Sequence, residues 1–430
     1  MWCINMKYID IVQKNLDSPA SQQKIKQANI KRILDIIRYR DSVSRAAIAK
    51  ETSLTPTTVS MLVDELIKLH YVVQLGEGES VTGRKPILLS IDSNGLQIPV
   101  ISLRSTGIQF VLYDFCLKVQ ELYFLEYPLE LQPVAIKGDG RVDYRHIDGS
   151  VYVDMIEDIL RKKTKKLQWD LVSVVCISTC GTIDWVEGSF SSSVLQVKTD
   201  ADFINKLQKR LQVSLLVGNE SACCAYSEKR SSTSDVDDLL YINACEGVGA
   251  GIIADGKMYS GAAGLAGEMG HISIDINGKR CFCGNRGCLE RYINYKTVLE
   301  QVVETIKSGE ESIITELCGG DYSTLNYQML AQAYDLGDSV VSHVLNKVAK
   351  YLVFGISNMI CAINSNNVVL GGGIEDLGPR FLSTVCNDLK LYGYNKGLKK
   401  VRVNYATKQD YCACLGIAKY FLDYYLVVPI

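Results

Sequence analysis

The stretch Gly264-Leu-Ala-Gly-Glu268-Met-Gly-His271, followed by Cys281-Phe-Cys283-Gly-Asn-Arg-Gly-Cys288-Leu-Glu290, sets one imidazole and three thiols close together in the chain. One His and three Cys make a complete tetrahedral donor set, the usual composition of a closed structural zinc site. The glycines between them let the backbone fold the sulfurs onto one centre. His271, Cys281, Cys283 and Cys288 are therefore the candidate ligands for Zn2+. Of the fifteen cysteines, Cys223-Cys224 and Cys412-Ala413-Cys414 lack further partners at ligand spacing and read as small apolar fillers.

Outward from this cluster the texture is that of an α/β protein. Short apolar runs at 100–103, 109–113, 172–178, 213–217, 239–243 and 250–253 read as strands, and 151–167, 201–211, 291–307 and 340–362 read as helices. Residues 133–150, rich in glycine and mixed charge, read as a surface loop. No repeat of fixed period is visible.

The N-terminal part reads differently. Ile30, Ile33, Leu34 and Ile37 recur at helical spacing. Ser44 suits the N-cap of a second helix, and Thr55-Pro56 suits the start of a third, whose apolar stripe is Val59, Leu62, Val63, Leu66 and Ile67. Val72 to Leu75 and Ile87 to Ile91 then flank a Gly/Glu-rich turn as a hairpin. Three short helices and a hairpin make a winged helix-turn-helix over residues 21–91. Its recognition helix offers Thr57, Thr58 and Ser60 for phosphates and thymine methyls, and the hairpin tip offers Arg84 and Lys85 for a groove or phosphates. Removing residues 1–90 is expected to leave the rest folded.

Composition agrees with that division. Residues 21–90 carry 11 Lys and Arg against 7 Asp and Glu, whereas the remainder carries 35 against 41. A basic segment on an acidic body suits a protein in which only that segment meets a phosphate backbone. The N-terminal residues mix charge with apolar side chains and make a poor signal peptide, and no apolar run reaches a membrane-span length. Many cysteines without an export signal point to reduced thiols, and so to a cytoplasmic protein with no membrane partner.

With Glu246-Gly-Val-Gly-Ala-Gly251, the Gly264–His271 run and the cysteine cluster closing on Glu290, the sequence resembles the ROK family of repressors and sugar kinases, in its xylose-repressor-like branch. The resemblance spans about residue 28 to 425. It implies an actin-like, two-lobed α/β fold over residues 96–430, a sugar in the cleft, zinc beside it, and a homodimer or homotetramer. By matching motif positions, Asn219, Glu220, Glu268, His271 and Glu290 are the implied sugar contacts. Gly247, Gly249, Gly251 and Gly371-Gly372-Gly373 match loops that approach nucleotide phosphates.

Three departures from the family pattern bear on activity and specificity. Family kinases open the α/β part with an Asp and a Gly-Gly-Thr loop, where this chain has Ser102-Leu103-Arg104-Ser105-Thr106. The carboxylate for magnesium is gone, and Arg104 stands in the phosphate path. Glu220 also occupies the position of the catalytic Asp, and Cys180-Gly181 replaces Pro-Gly. The expectation is a regulator of carbohydrate use that binds operator DNA and answers to a sugar or sugar phosphate, without catalysis. The alternative is a sugar kinase with an appended DNA-binding module.

Overall fold

A computed structural model describes residues 22–77, 85–132, 145–184, 188–192, 195, 197–200, 202–229, 236–391 and 400–428. Helix α1 (Gln22–Tyr39) buries the predicted stripe of Ile30, Ile33, Leu34 and Ile37. Strand β1 (Val43–Ser44) leads into α2 (Arg45–Thr52), which is capped by Ser44 accepting from the Ala47 N–H and stopped by Ser53 at φ 58°. Thr55 caps α3 (Pro56–Lys68) by accepting from the Thr58 N–H, with Pro56 in the first turn. Each cap satisfies a helix-end donor that would otherwise be orphaned. Strands β2 (Val72–Glu77) and β3 (Ile87–Ile91) form the wing, and β1 completes a three-stranded sheet in the order β1-β3-β2. The tip, with Arg84, lies outside the described residues.

The rest of the chain is built around two five-stranded sheets. The first comprises β4 (Gln97–Leu103), β5 (Gly107–Asp114), β6 (Val119–Glu126), β8 (Val174–Thr179) and β12 (Ser214–Asn219), in the order β12-β8-β4-β5-β6. The second comprises β13 (Leu239–Ala244), β14 (Val248–Ala254), β15 (Lys257–Met258), β16 (Asn367–Gly371) and β17 (Arg402–Tyr405), in the order β15-β14-β13-β16-β17. In each, three antiparallel strands are followed by two that join in parallel. The duplication is thus topological, although the sequence carries no repeat. A small third sheet joins β7 (Arg145–Ile147), β9 (Thr182–Asp184), β10 (Ser189–Ser192) and β11 (Val197–Thr199).

Helices pack on these sheets: α4 (Ser150–Asp158), α5 (Phe203–Leu211), α6 (Glu220–Lys229), α7 (Tyr295–Lys307), α8 (Tyr327–Asp335), α9 (Ser339–Ile363), α10 (Gly378–Leu391) and α11 (Cys412–Tyr420). Three expectations need correction. The expected helix 291–307 is broken, because the Asn294 side chain accepts from the Thr297 N–H and starts α7 afresh after a short turn. The expected helix 151–167 ends its regular coil at Asp158 and continues only to Lys163. The segment read as a loop at 133–150 contains β7, which pairs in parallel with β11, while 133–144 lie outside the described residues.

The core does not divide where the sequence does. One apolar cluster runs from Ile33 and Leu34 of α1 through Tyr71 and Phe115 to Tyr226, Leu422 and Val428. The Tyr71 and Phe115 rings meet edge to face at 5.3 Å. The Gln27 carboxamide donates to the Val428 carbonyl at 2.7 Å and accepts from its N–H at 3.3 Å. Arg38 bonds Asp423, whose other oxygen accepts from the Tyr226 hydroxyl at 2.6 Å. This packing does not fit a module that detaches at residue 90.

Candidate functional site

Between the two large sheets lies a cavity of about 550 Å3. Asn219, Glu220, Glu268, His271 and Glu290 all line it, as do Arg104 and Ser105. Five side chains from three separate segments, named from the sequence, thus share one cleft.

The loop bearing Glu268 lies directly on β14. A Cβ at Gly267, which stands at φ +94°, would come 2.0 Å from the Ala250 carbonyl, and one at Gly270 would come 2.1 Å from that of Val248. Only glycine allows this approach, and it brings Glu268 and His271 to the cleft wall. Glu290 is buried, with Oε2 accepting from the Val248 N–H at 2.9 Å. Its Oε1 has no hydrogen-bond partner among the described residues. Burial raises the Glu290 carboxyl to about 7, opposed by the Val248 N–H and reinforced by Glu268. Burial likewise raises Glu268 and lowers His271.

Asn219 and Glu220 sit where β12 runs into α6. The Asn219 Oδ1 accepts from the Ser221 N–H at 2.9 Å and so caps the helix, while its amide nitrogen donates to the Gly181 carbonyl at 3.4 Å and keeps its second N–H for another partner. Burial raises Glu220, Arg104 beside it pulls the other way, and Glu246 adds to the rise. On the opposite wall the Gly373 N–H donates to the chain's own Glu375 carboxylate at 2.9 Å.

Beside the cleft, His271, Cys281, Cys283 and Cys288 place their donor atoms within 4.8 Å of one another. Cys281 Sγ lies 3.7 Å from His271 Nδ1, and Cys283 Sγ lies 3.6 Å from Cys288 Sγ. Four soft donors at these separations can hold a metal ion. Since Nδ1 faces the sulfurs, Nε2 faces the cleft, 3.8 Å from Glu268.

In the helix-turn-helix, Thr57 is exposed, whereas Thr58 and Ser60 are half-buried. The Thr58 hydroxyl lies 2.8 Å from that of Thr55 and so shares the cap. Lys85 is exposed at the base of the wing. Ser60 shares an open groove between α2 and α3 with Arg45 and Lys50, two cations that the sequence reading did not single out. Arg45 is partly engaged, at 2.7 Å from Asp64.

Residues 146–423 match the ROK family. The chain belongs to the ROK family. Its relatives in that family include the xylose repressor of Caldicellulosiruptor bescii, 28% identical over 91% of this chain and 94% of that protein. Among solved structures it is similar to a ROK family transcriptional regulator, a homologue of the E. coli MLC protein, at 23% identity and TM-score 0.75 over 93% of this chain and 97% of that one. A ROK glucokinase of Streptomyces griseus, solved with glucose and AMPPNP, has the same fold over 75% of this chain and 98% of its own, at 20% identity and TM-score 0.60. Among the described residues, no helix of this ROK protein is long and apolar enough to cross a membrane.

Proposed function

We propose that this ROK protein is a sugar-responsive, DNA-binding regulator, a repressor of carbohydrate-utilisation genes in the manner of its xylose-repressor relatives. Residues 21–91 hold operator DNA and residues 96–430 hold the sugar, in a cytoplasmic homodimer or homotetramer. The observation that carries this reading is the bonded line from one to the other. Glu220 lines the cleft at the start of α6, and Tyr226 further along α6 bonds Asp423, which holds Arg38 of the helix-turn-helix. A sugar that shifts α6 therefore shifts the DNA-binding unit, and by linkage DNA shifts sugar affinity equally.

Several features support sensing over phosphorylation. Ser102 is buried in β4 where kinases keep a carboxylate, Arg104 sits beside Glu220, and Glu375 occupies a glycine-loop N–H that a nucleotide phosphate would need. Among the described residues the cavity wall carries eight carboxylates and two permanent cations, Arg104 and Lys408, the latter bonded to Asp376 at 2.7 Å. That excess of acidic over basic groups favours an uncharged sugar over a sugar phosphate as the effector. Asn219, Glu220, Glu268, His271 and Glu290 hold its hydroxyls. The test is thermal shift with D-xylose, D-glucose, N-acetyl-D-glucosamine and sugar phosphates, then anisotropy on operator DNA with and without the responding sugar. If no sugar changes DNA affinity, or if ATP and a hexose are turned over at a kinase rate, the reading fails.

Zinc is the metal proposed for the cluster. A Zn–S bond of ~2.3 Å in a tetrahedron separates ligands by roughly 3.7 Å, close to the separations found. When bound, zinc would fix the His271 tautomer with Nε2–H toward the sugar. Elemental analysis is expected to find one zinc per chain, and Cys283→Ser is expected to lose it and to weaken sugar binding, because His271 is then unfixed. A full sugar-induced melting shift in zinc-free protein would break that link.

Thr57, Thr58, Ser60, Arg84 and Lys85 are the proposed DNA contacts. Arg84→Ala is expected to weaken operator binding and to reduce the salt slope by about one, as one fewer cation is displaced. Unchanged affinity and slope would remove Arg84 from the interface.

A further inference from the structure

Cys224 and Cys412 stand 188 residues apart in the chain, yet their sulfurs lie 2.6 Å apart, against ~2.05 Å for a sulfur–sulfur bond. Cys224 is on α6 and Cys412 opens α11. The two helices cannot drift apart easily, because Gly416 of α11 seats against α6 so closely that a Cβ there would come 1.7 Å from the Cys223 carbonyl. On its other side α6 is held by Gly251 of β14, whose Cβ would come 2.0 Å from the Ser221 carbonyl. Cys224 is buried and Cys412 half-buried, and both line the cleft, so solvent reaches the pair from the cavity.

The cleft also selects its oxidant. Glu220, Glu228 and Glu375 in the same cavity disfavour an anionic disulfide such as glutathione disulfide, whereas a peroxide is small and uncharged. We propose that Cys224 and Cys412 form an oxidative modification site at which a peroxide makes an intrachain disulfide. Cys412, the better exposed thiol, attacks the peroxide; the O–O bond breaks, Cys412 becomes a sulfenic acid and one water leaves. The Cys224 thiol then attacks that sulfur, the S–O bond breaks, the S–S bond forms and a second water leaves. The peroxide accepts two electrons and the two thiols lose them. The new bond staples α11 to α6, the helix that runs from Glu220 to Tyr226. Its regulatory consequence rests on the sensor reading above: stapled protein holds DNA without answering to sugar.

The full-length chain treated with hydrogen peroxide, blocked with an alkylating agent under denaturing conditions and digested, should yield a Cys224–Cys412 linked peptide that dithiothreitol removes. Cys412→Ser should yield none. Recovery of both cysteines singly alkylated, when exposed Cys116 and Cys361 of the same sample are oxidised, would overturn the site; this measurement uses the unaltered chain and needs no variant to fold. The oxidised protein should also lose the D-xylose, D-glucose or N-acetyl-D-glucosamine melting shift that the reduced protein gives. An unchanged shift after full cross-linking would overturn the regulatory role, and absence of a shift in reduced protein would count against the sensor reading while leaving the mapped disulfide standing.

Discussion

Asp423→Ala is expected to lower the unfolding free energy by about 3–5 kcal/mol, the usual cost of stripping one partner from a buried ion pair. Asp423 and Arg38 are only 10% and 12% exposed at the side chain, and Tyr226 is buried on the far side of the carboxylate. Alanine leaves the Tyr226 phenol without its acceptor and the Arg38 guanidinium with the longer contact to Asp35, at 3.3 Å, as its remaining carboxylate. Measured against a total stability of roughly 5–15 kcal/mol, that loss should be plain in a urea or thermal melt. Tyr226→Phe removes one hydrogen bond and should cost about 1 kcal/mol. The pair Arg38→Met with Asp423→Leu should recover much of the stability, since a buried pair replaced together by apolar groups is often neutral. If that rescued protein binds both operator and sugar yet no longer couples them, the bonded line is the transmission. If coupling persists in full, another contact carries it.

Above about pH 8, where a Glu290 carboxyl raised to about 7 is ionised, Glu290→Gln should weaken effector binding by roughly 10- to 150-fold, corresponding to about 1.5–3 kcal/mol for a hydrogen bond to a charged group. Its Oε1 is buried, unpartnered among the described residues and on the cleft wall, so a sugar hydroxyl is the missing donor. Glutamine keeps an oxygen for the Val248 N–H, and operator binding without sugar should therefore stand. Glu268→Ala acts on a more exposed carboxylate, 37% at the side chain, and should fall toward the lower end of that range. Isothermal titration with the sugar that raises the melting temperature decides both. Wild-type affinity in Glu290→Gln would mean that the sugar sits elsewhere.

What could be read from the sequence was local chemistry. The caps at Ser44 and Thr55-Pro56 and the His271 and cysteine spacing are each set within a few residues, and each holds in the fold. Pairings across the fold were hidden. Arg38 meets Asp423 across 385 residues and Cys224 meets Cys412 across 188, and only sheet topology brings them together. Strand β6 escaped for another reason. Its Val119, Leu122 and Phe124 are exposed, so the expected alternation of apolar inside and polar outside is blurred. Asn294 divided a helix that periodicity ran together, because a cap needs only one side chain and leaves the apolar spacing intact.

The apolar cluster shared by α1 and the C-terminal residues bears on how such regulators can be recombined. A chimera that takes only residues 21–91 from another protein would set a foreign helix against Leu422, Leu426 and Val428, and would leave the Val428 backbone and the Asp423 carboxylate without Gln27 and Arg38. The two ends of the chain form one transplantable part. Exchanging the operator specificity of this protein therefore calls for a graft that carries the donor's tail together with its head, or for changes confined to the outward face of α3 and the wing.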